Sequence, residues 1–321
     1  MSSFQELSTI FSERFNQNIQ PSHSGTLYEA GNYFLQLGGK RVRPVLCLMG
    51  NELFDELTPD TWQAAFAIEL FHNFTLIHDD IMDKAALRRG KPTVHEKYGE
   101  STALLAGDIL LVIAYDHLNK ISNSYLKKII QLFNRTAKEV CEGQQLDMEF
   151  EKKEGVSMGE YLQMIELKTS VLLACSLQMG AILGGAGSGN QQHLYEFGKN
   201  LGIAFQIQDD YLDAFGDPKK FGKEPGGDIK ANKKTFLLIR ALETASPTQC
   251  KLLKRLVKEN PADKVERVIT IFKECGIDKW AEEFKEQFFS KAMKHLEDIA
   301  VMTRRKEPLK ELAQFLIHRD H

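Results

Sequence analysis

The sequence predicts an all-α fold, and three observations predict it. Nearly every segment repeats its apolar residues at i, i+3, i+4 and i+7, the period of one helix face. No alternating β-rich run with hairpin punctuation stands out among them. The breaks between segments are short. Helical period runs over residues 61–83, 101–118, 123–150, 160–182, 191–215 and 277–301. Breaks fall at Gly38-Gly39, Gly90 to Pro92, Gly184 to Gly189 and Gly216 to Gly227. None has the composition of an interdomain linker, and there is no low-complexity tract or short-period repeat. The 321 residues, 43% of them hydrophobic, suffice for a sizeable core. The expectation is one domain over residues 1–321, a single large helical bundle around a deep central cavity.

Composition narrows the function. The net charge is −3 with acids and bases interspersed, which argues against a nucleic-acid partner and a polybasic membrane anchor. Five scattered cysteines with no CxxC pair read as reduced thiols of a cytoplasmic protein. The first residues, MSSFQELSTIFSERF, lack the apolar core of a signal peptide. The most apolar stretch, Val171 to Gly187, is interrupted by Ser176 and Gln178 and is short for a membrane span, so it reads as a buried core helix.

One chemical feature occurs twice. Residues 79–83 are DDIMD and residues 209–213 are DDYLD. On a helix, Asp79 sits beside Asp83 and Asp209 beside Asp213, and like charges at that spacing destabilise a helix unless a cation lies between them. Magnesium suits the task, because it takes one or two carboxylates and completes its shell with phosphate and water oxygens. A single acidic cluster is also what a solvated helix face carries. The flanks speak against that here, because FAIELFHNFTLIHDDIMD and FGKNLGIAFQIQDDYLD are strongly apolar. A polar stripe of His72, Thr75, Asp79 and Asp83 marks the first helix. Gln206, then Asp209 or Asp210, then Asp213 mark the second. Each helix thus has a buried body and a polar line leading to an acidic end, as a deep cleft with a charged mouth requires.

Basic residues stand in glycine-rich loops where a diphosphate would need them. GGKRVRP at 38–44 supplies Lys40, Arg41 and Arg43, with Pro44 placed to open a helix. LRRGKPTVH at 87–95 supplies Arg88 and Arg89. FGDPKKFGKEPGGDIKANKKT supplies Lys219, Lys220, Lys223, Lys233 and Lys234. Arginine forks match phosphate oxygens, and lysine acts as a point charge.

Taken together, GGKRVRP, LIHDDIMDKAALRRGKPTVH, GQQLD at 143–147, Lys168-Thr169, FQIQDDYLD and the loop with Lys223, Gly227-Asp228 and Lys233 resemble the trans-isoprenyl diphosphate synthases, the polyprenyl synthetase family. The match runs from about residue 25 to the C-terminus with the motifs in family order. The resemblance implies the isoprenoid synthase fold, a homodimer, and a Mg2+-dependent prenyltransferase using isopentenyl diphosphate and an allylic diphosphate (dimethylallyl, geranyl or farnesyl). Three magnesium ions are implied: Asp79 and Asp83 would hold two, with Asp80 in support, and Asp209 the third, with Asp210 and Asp213 assisting. Arg88, Lys168, Lys223 and Lys233 would hold the allylic diphosphate. Lys40, Arg43, His72 and Arg89 would hold isopentenyl diphosphate. Thr169 and Gln206 would line the reacting carbons, and Gln144 and Asp147 would support them. The allylic C–O bond would ionise, the double bond of isopentenyl diphosphate would attack the cation, and the departing diphosphate would take the proton. Water would quench that cation. The 216–234 loop and the C-terminal FLIHRDH are candidate lids.

Product length depends in this family on bulk at the fifth position before the first motif, which here is Phe74. It lies about 7.5 Å along the helix axis from Asp79, and Phe71 about 12 Å. Phe71, Phe74 and His78 share one stripe, Thr75 is small, and the motif lacks a two-residue insertion. The pattern resembles short-chain geranylgeranyl synthases and favours a C20 product, with farnesyl (C15) next. A terpene cyclase shares the first motif and the helical fold, but would normally replace the second motif and lack GGKRxRP.

Overall fold

Thr58 begins the helix that ends in the first aspartate run. Its side chain accepts the Thr61 backbone N–H at 3.4 Å, and Pro59 brings a preset φ to the first helical position. The helix stops where Lys84 turns left-handed (φ 51°) and the Ala85 N–H returns to the Asp80 carbonyl at 3.0 Å. The same alternation of helix and short stop continues along the chain. The structure, a computed structural model, describes residues 1–18, 25–216 and 226–317. In order they form α1 (Phe4–Asn18), α2 (Thr26–Gln36), α3 (Val42–Glu52), α4 (Pro59–Met82), β1 (Leu87–Arg88) and β2 (Lys91–Pro92). There follow α5 (Val94–Tyr98), α6 (Glu100–Leu118), α7 (Asn123–Lys152), α8 (Met158–Ile165), a π-helical turn (Glu166–Ser170), α9 (Val171–Leu183) and α10 (Ser188–Phe215). The last are α11 (Gly227–Lys230), α12 (Phe236–Thr244), α13 (Pro247–Glu259), α14 (Lys264–Glu274), α15 (Ile277–Glu297) and α16 (Thr303–Ile317).

The chain divides into two compact units. The first comprises Met1–Arg135, Cys175–Tyr195 and Ile299–Leu309. In it α3 is buried at every position from Pro44 to Asn51, as a helix that is apolar on all sides must be. Small residues let it meet α9 backbone to backbone: a Cβ on Gly180 would stand 2.0 Å from the Cys47 carbonyl oxygen. Asn51 ties the end of α3 to the start of α4, donating to the Asp55 and Glu56 carbonyls and accepting the Thr61 hydroxyl at 2.6 Å. Phe11, Phe15 and Phe66 stack with centroids 5.3–6.0 Å apart.

The second unit comprises Thr136–Ala174, Glu196–Asp298 and Lys310 onward. Two capping boxes, Ser157 with Glu160 and Ser246 with Gln249, start α8 and α13, each worth about 1 kcal/mol. Its core runs through Tyr161, Phe236, Trp280 and Phe284, where Trp280 and Phe284 stack at 4.8 Å.

The predicted helical segments all appear. The two-residue strands β1 and β2 were not foreseen, nor was α11, which lies in the loop expected over 216–234. Of the 171–187 stretch, Val171–Leu183 forms α9 and is buried except at half-buried Gln178, while Gly185 and Gly187 beyond it are exposed. Two helical runs are long and apolar enough to cross a membrane by length and composition: Met158–Leu183, 72% buried over its most apolar window, and Glu100–Leu118, 39% buried.

Candidate active site

In the first unit, α4 delivers Asp79, Asp80 and Asp83 at its C-terminal end. Asp80 is 2% exposed, and its counter-charge is built in. Arg88 Nε donates to both its oxygens at 2.9 and 2.8 Å, and the guanidinium Nη2 reaches Oδ1 at 2.8 Å. The tight β1–β2 hairpin brings Arg88 there, because Arg89 (φ 53°) and Gly90 (φ 74°) both take the left-handed backbone of a two-residue turn. Gly39 leaves room for the neighbouring guanidinium: a Cβ there would sit 2.9 Å from an Arg89 Nη nitrogen.

Arg43 bonds His72 Nε2 through Nη1 at 3.0 Å. Burial holds the His72 pKa well below its ordinary value, and Arg43, Arg89, Arg88 and Arg41 push the same way. The ring is therefore neutral and accepts the guanidinium proton. Burial also lowers Arg43 to about 10, against the pull of Glu69 and Asp79. Arg43 Nε is buried with no hydrogen-bond partner among the described residues. Arg41 is spoken for, by an ion pair with Glu69 and a bond to the Leu35 carbonyl. Four guanidiniums thus act on a neutral imidazole, and one of them keeps a spare donor.

In the second unit, α10 delivers Asp209, Asp210 and Asp213. Here the buried carboxylate has neutral partners. Asp210 is 7% exposed and accepts the Tyr161 hydroxyl at 2.8 Å and Gln206 Nε2 at 2.9 Å. Burial and then the Asp228 charge raise its pKa, opposed by those two bonds and by Lys233. Burial also raises Asp213, whose Oδ2 accepts the Asp228 N–H at 2.9 Å. Lys233 pairs with Asp228 at 3.3 Å; desolvation lowers its pKa, but Asp228, Asp147 and Asp210 together raise it. The π-helical turn presents Lys168 to Asp147 at 2.6 Å and the Thr169 hydroxyl to Gln206 Oε1 at 3.4 Å. Gly143 allows the approach, since a Cβ on it would lie 2.2 Å from the Lys168 backbone nitrogen.

These donor sets fit magnesium. Burial, and after it the Asp228 charge, raises the pKa of Asp210 and Asp213, and a divalent cation would relieve both carboxylates. Among the described residues no three acidic, histidine or cysteine side chains converge on one point.

Within the first unit the sequence-predicted Arg43 and His72 come together, as do Asp80 and Arg88. Lys40 is exposed, Asp79 is half-buried and Asp83 is exposed. Within the second, Thr169, Gln206 and Asp210 are linked. Asp209 is half-buried, on the same helix. Lys223, Lys219, Lys220 and the last four residues of FLIHRDH lie outside the described residues. Sequence reasoning left three partners unassigned: Glu69, Tyr161 and Asp228. Asp228 stood in the quoted loop motif, but Glu69 and Tyr161 are single residues in helical runs, and no spacing marks them. Thr75 donates to the His72 carbonyl of its own helix at 2.8 Å. Beside it the aromatic stripe is real: His78 and Phe74 meet edge-on at 4.6 Å, Phe74 and Phe71 at 5.7 Å, and Phe71 and Phe133 at 5.2 Å.

Comparison with known proteins agrees with this chemistry. The polyprenyl synthetase family model matches residues 24–275. A geranylgeranyl diphosphate synthase of Saccharolobus solfataricus is 38% identical, over 99% of each chain. A geranylfarnesyl diphosphate synthase of Natronomonas pharaonis is 32% identical, over 100% of this chain and 98% of its own. The crystal structure of a geranylgeranyl pyrophosphate synthetase from Pyrococcus horikoshii Ot3 superimposes with a TM-score of 0.92 at 34% identity, over 98% of each chain. The chain belongs to the polyprenyl synthetase family.

Proposed function

We propose that this protein condenses an allylic diphosphate with isopentenyl diphosphate to give a linear all-trans prenyl diphosphate, geranylgeranyl diphosphate (C20) being the product. One observation carries the reading: an aspartate-ended helix and a group of guanidiniums around neutral His72 occur within one unit. A divalent-cation site beside an anion site is what handling a diphosphate demands.

Asp79 and Asp83 would hold two magnesium ions and Asp209 a third, with Asp80, Asp210 and Asp213 supporting them. Bound magnesium supplies neutralisation of the diphosphate as its C–O bond breaks. The chain's residues do the rest. Lys168 and Lys233 are point charges for the allylic diphosphate. Arg88 works from a fixed position, because Asp80 orients its guanidinium. Arg43 offers its spare Nε–H to isopentenyl diphosphate, with Lys40, Arg89 and His72 beside it. Gln206 gives its N–H to Asp210, which turns its carbonyl oxygen toward Thr169 and the reacting carbons, where it steadies a passing carbocation. No side-chain nucleophile takes part, and the departing diphosphate accepts the final proton. The whole chain acts as one catalytic domain.

Two further points belong to this reading. The protein works as a homodimer, supported by the exposed apolar residues Leu104, Leu105, Val112 and Tyr115 on one side of α6. It works in the cytoplasm, supported by its five free cysteines.

The test is incubation with labelled isopentenyl diphosphate and each allylic starter, followed by chromatography of the dephosphorylated products. A linear C20 alcohol is expected. A C15 or C25 alcohol would revise the product, and a cyclic hydrocarbon or no product would overturn the reaction.

A further inference from the structure

We propose that Lys264 is a positioning residue: its buried ammonium latches Asn232 in left-handed backbone and so aims the adjacent Lys233. The assignment rests on the reading above, in which Lys233 serves the allylic diphosphate.

Lys264 opens α14 and is 2% exposed. Its Nζ donates to Asn232 Oδ1 and to Asn260 Oδ1, the latter at 3.1 Å. Both are neutral amides, and no carboxylate pairs with Lys264 among the described residues. Burial accordingly lowers its pKa. A buried ammonium without a counter-ion is costly, and an apolar side chain of the same length would pack there more cheaply. Stability alone therefore does not account for a lysine.

What the ammonium holds does account for it. Asn232 (φ 59°) and Asn260 (φ 46°) are both left-handed, a conformation disfavoured for an L-residue unless something fixes it. Asn260 ends α13, and Asn232 follows α11 and precedes Lys233. The next residue of α14, Val265, closes on the other end of the same segment. Gly226 is left-handed (φ 87°), and a Cβ on it would lie 2.3 Å from Val265 Cγ1. The first turn of α14 thus grips the 226–232 segment at both ends. Between the grips, the Asp228 N–H is bonded to Asp213 and the Asp228 carboxylate is paired with Lys233. A relaxed Asn232 would leave the chain in a different direction and carry Lys233 away from Asp228.

The experiment compares wild type, Lys264→Met, Asn232→Ala and the double variant Lys264→Met/Asn232→Gly, measuring KM for each substrate and thermal melting. Lys264→Met and Asn232→Ala should each raise KM for the allylic diphosphate about tenfold and leave KM for isopentenyl diphosphate unchanged. Glycine takes the left-handed backbone without help, so the double variant should recover most of the loss. If Lys264→Met does not fold, Asn232→Ala gives the same test, because Lys264 then keeps Asn260. Folded variants with unchanged allylic KM, an equal rise for both substrates, or no recovery in the double variant overturn the assignment. The wild-type control separates the two readings. Wild-type turnover with unaltered variants removes this assignment alone, whereas a wild type that makes no prenyl product removes the proposed function and this assignment with it.

Discussion

The two aspartate clusters share a sequence pattern and differ in how their buried carboxylate is kept. Asp80 is met by a permanent cation, Arg88, through a fork of short bonds. Asp210 is met by a phenol and an amide, with the Asp228 carboxylate close enough to raise its pKa. The first cluster belongs to a cationic neighbourhood, and the half-buried His72 there resists taking a proton. The second belongs to an anionic one, and its buried aspartate resists losing one. A repeated motif thus need not mean a repeated site. In the first, a guanidinium stands beside the buried carboxylate, whereas in the second a further carboxylate, Asp228, does.

The largest effect should come from removing a metal-holding carboxylate. Asp79→Ala and Asp209→Ala should each lower turnover by on the order of a thousandfold while circular dichroism and melting stay near wild type. A variant of either kind with near-normal rate would dissolve the proposed role of its cluster. Breaking the partners comes next and should separate the clusters. Arg88→Ala strands Asp80 without its cation and should cost about 2–3 kcal/mol of stability, somewhat less than for a fully enclosed pair because the Arg88 side chain is 27% exposed. It should also weaken the allylic substrate, whereas Arg89→Ala should weaken isopentenyl diphosphate by about thirtyfold. Tyr161→Phe removes one neutral hydrogen bond from Asp210 and should cost about 1 kcal/mol. Denaturant melts and two-substrate kinetics check all three. Equal losses for Arg88→Ala and Tyr161→Phe would erase the distinction.

Acid–base behaviour should then differ in sign. The folded-state pKa of His72 lies below its ordinary 6.5, so between the two values only the unfolded chain holds the proton. That contribution to stability is present above pH 6.5 and is lost as pH falls. The folded-state pKa of Asp210 lies above its ordinary 3.8, so the folded chain holds the extra proton. Its contribution is present below pH 3.8 and is lost as pH rises through the folded value. His72→Gln should flatten the rise of stability with pH on the acid side, and Asp210→Asn should remove a fall toward neutral pH. Titration calorimetry in two buffers adds a direct reading: magnesium should displace a proton from wild type near neutral pH, and not from Asp210→Asn. Proton release that survives Asp210→Asn would place the titrating group elsewhere.

The first cluster was the more legible of the two in the sequence, and the reason is local. Asp79 to Arg89 lie within eleven consecutive residues, so the i, i+4 aspartates and the arginines before the break at Gly90 to Pro92 could be read together. His72 and Arg43 were readable as polar residues in apolar surroundings. The second cluster takes Gln206 from one turn earlier on its own helix, but Tyr161 from 49 residues away and Asp228 from beyond a break in helical pattern. Only the fold brings such residues together. The helices themselves were legible because their period is local, and β1, β2 and α11 were not, being too short to show one. Lys264 reads as an ordinary helix-opening lysine until its burial is known.

The smallest effect on rate should come from a residue on the helix of the first cluster that belongs to neither cluster. The aromatic stripe on α4 holds two phenylalanines, and the structure treats them differently. Phe71 is 1% exposed and packs edge-on against Phe133, as a core residue does. Phe74 is half-buried and lies against His78, whose ring fills the space where Gly107 has no side chain. If Phe74 stops the growing tail, Phe74→Ala should lengthen the product by one or more five-carbon units, with metal affinity and both diphosphate KM values unchanged. Thr75→Phe, next to it on the helix, should shorten the product toward C15. Phe71→Ala should instead cost about 3–5 kcal/mol of stability, because a fully enclosed ring leaves a cavity. It should lengthen the product further only in a Phe74→Ala background. Chromatography of dephosphorylated products beside thermal melts reads both quantities at once. A folded Phe74→Ala enzyme whose product keeps its length would take the stop away from α4, and with it the idea that the first helix sets both where the diphosphate sits and how far the chain can grow.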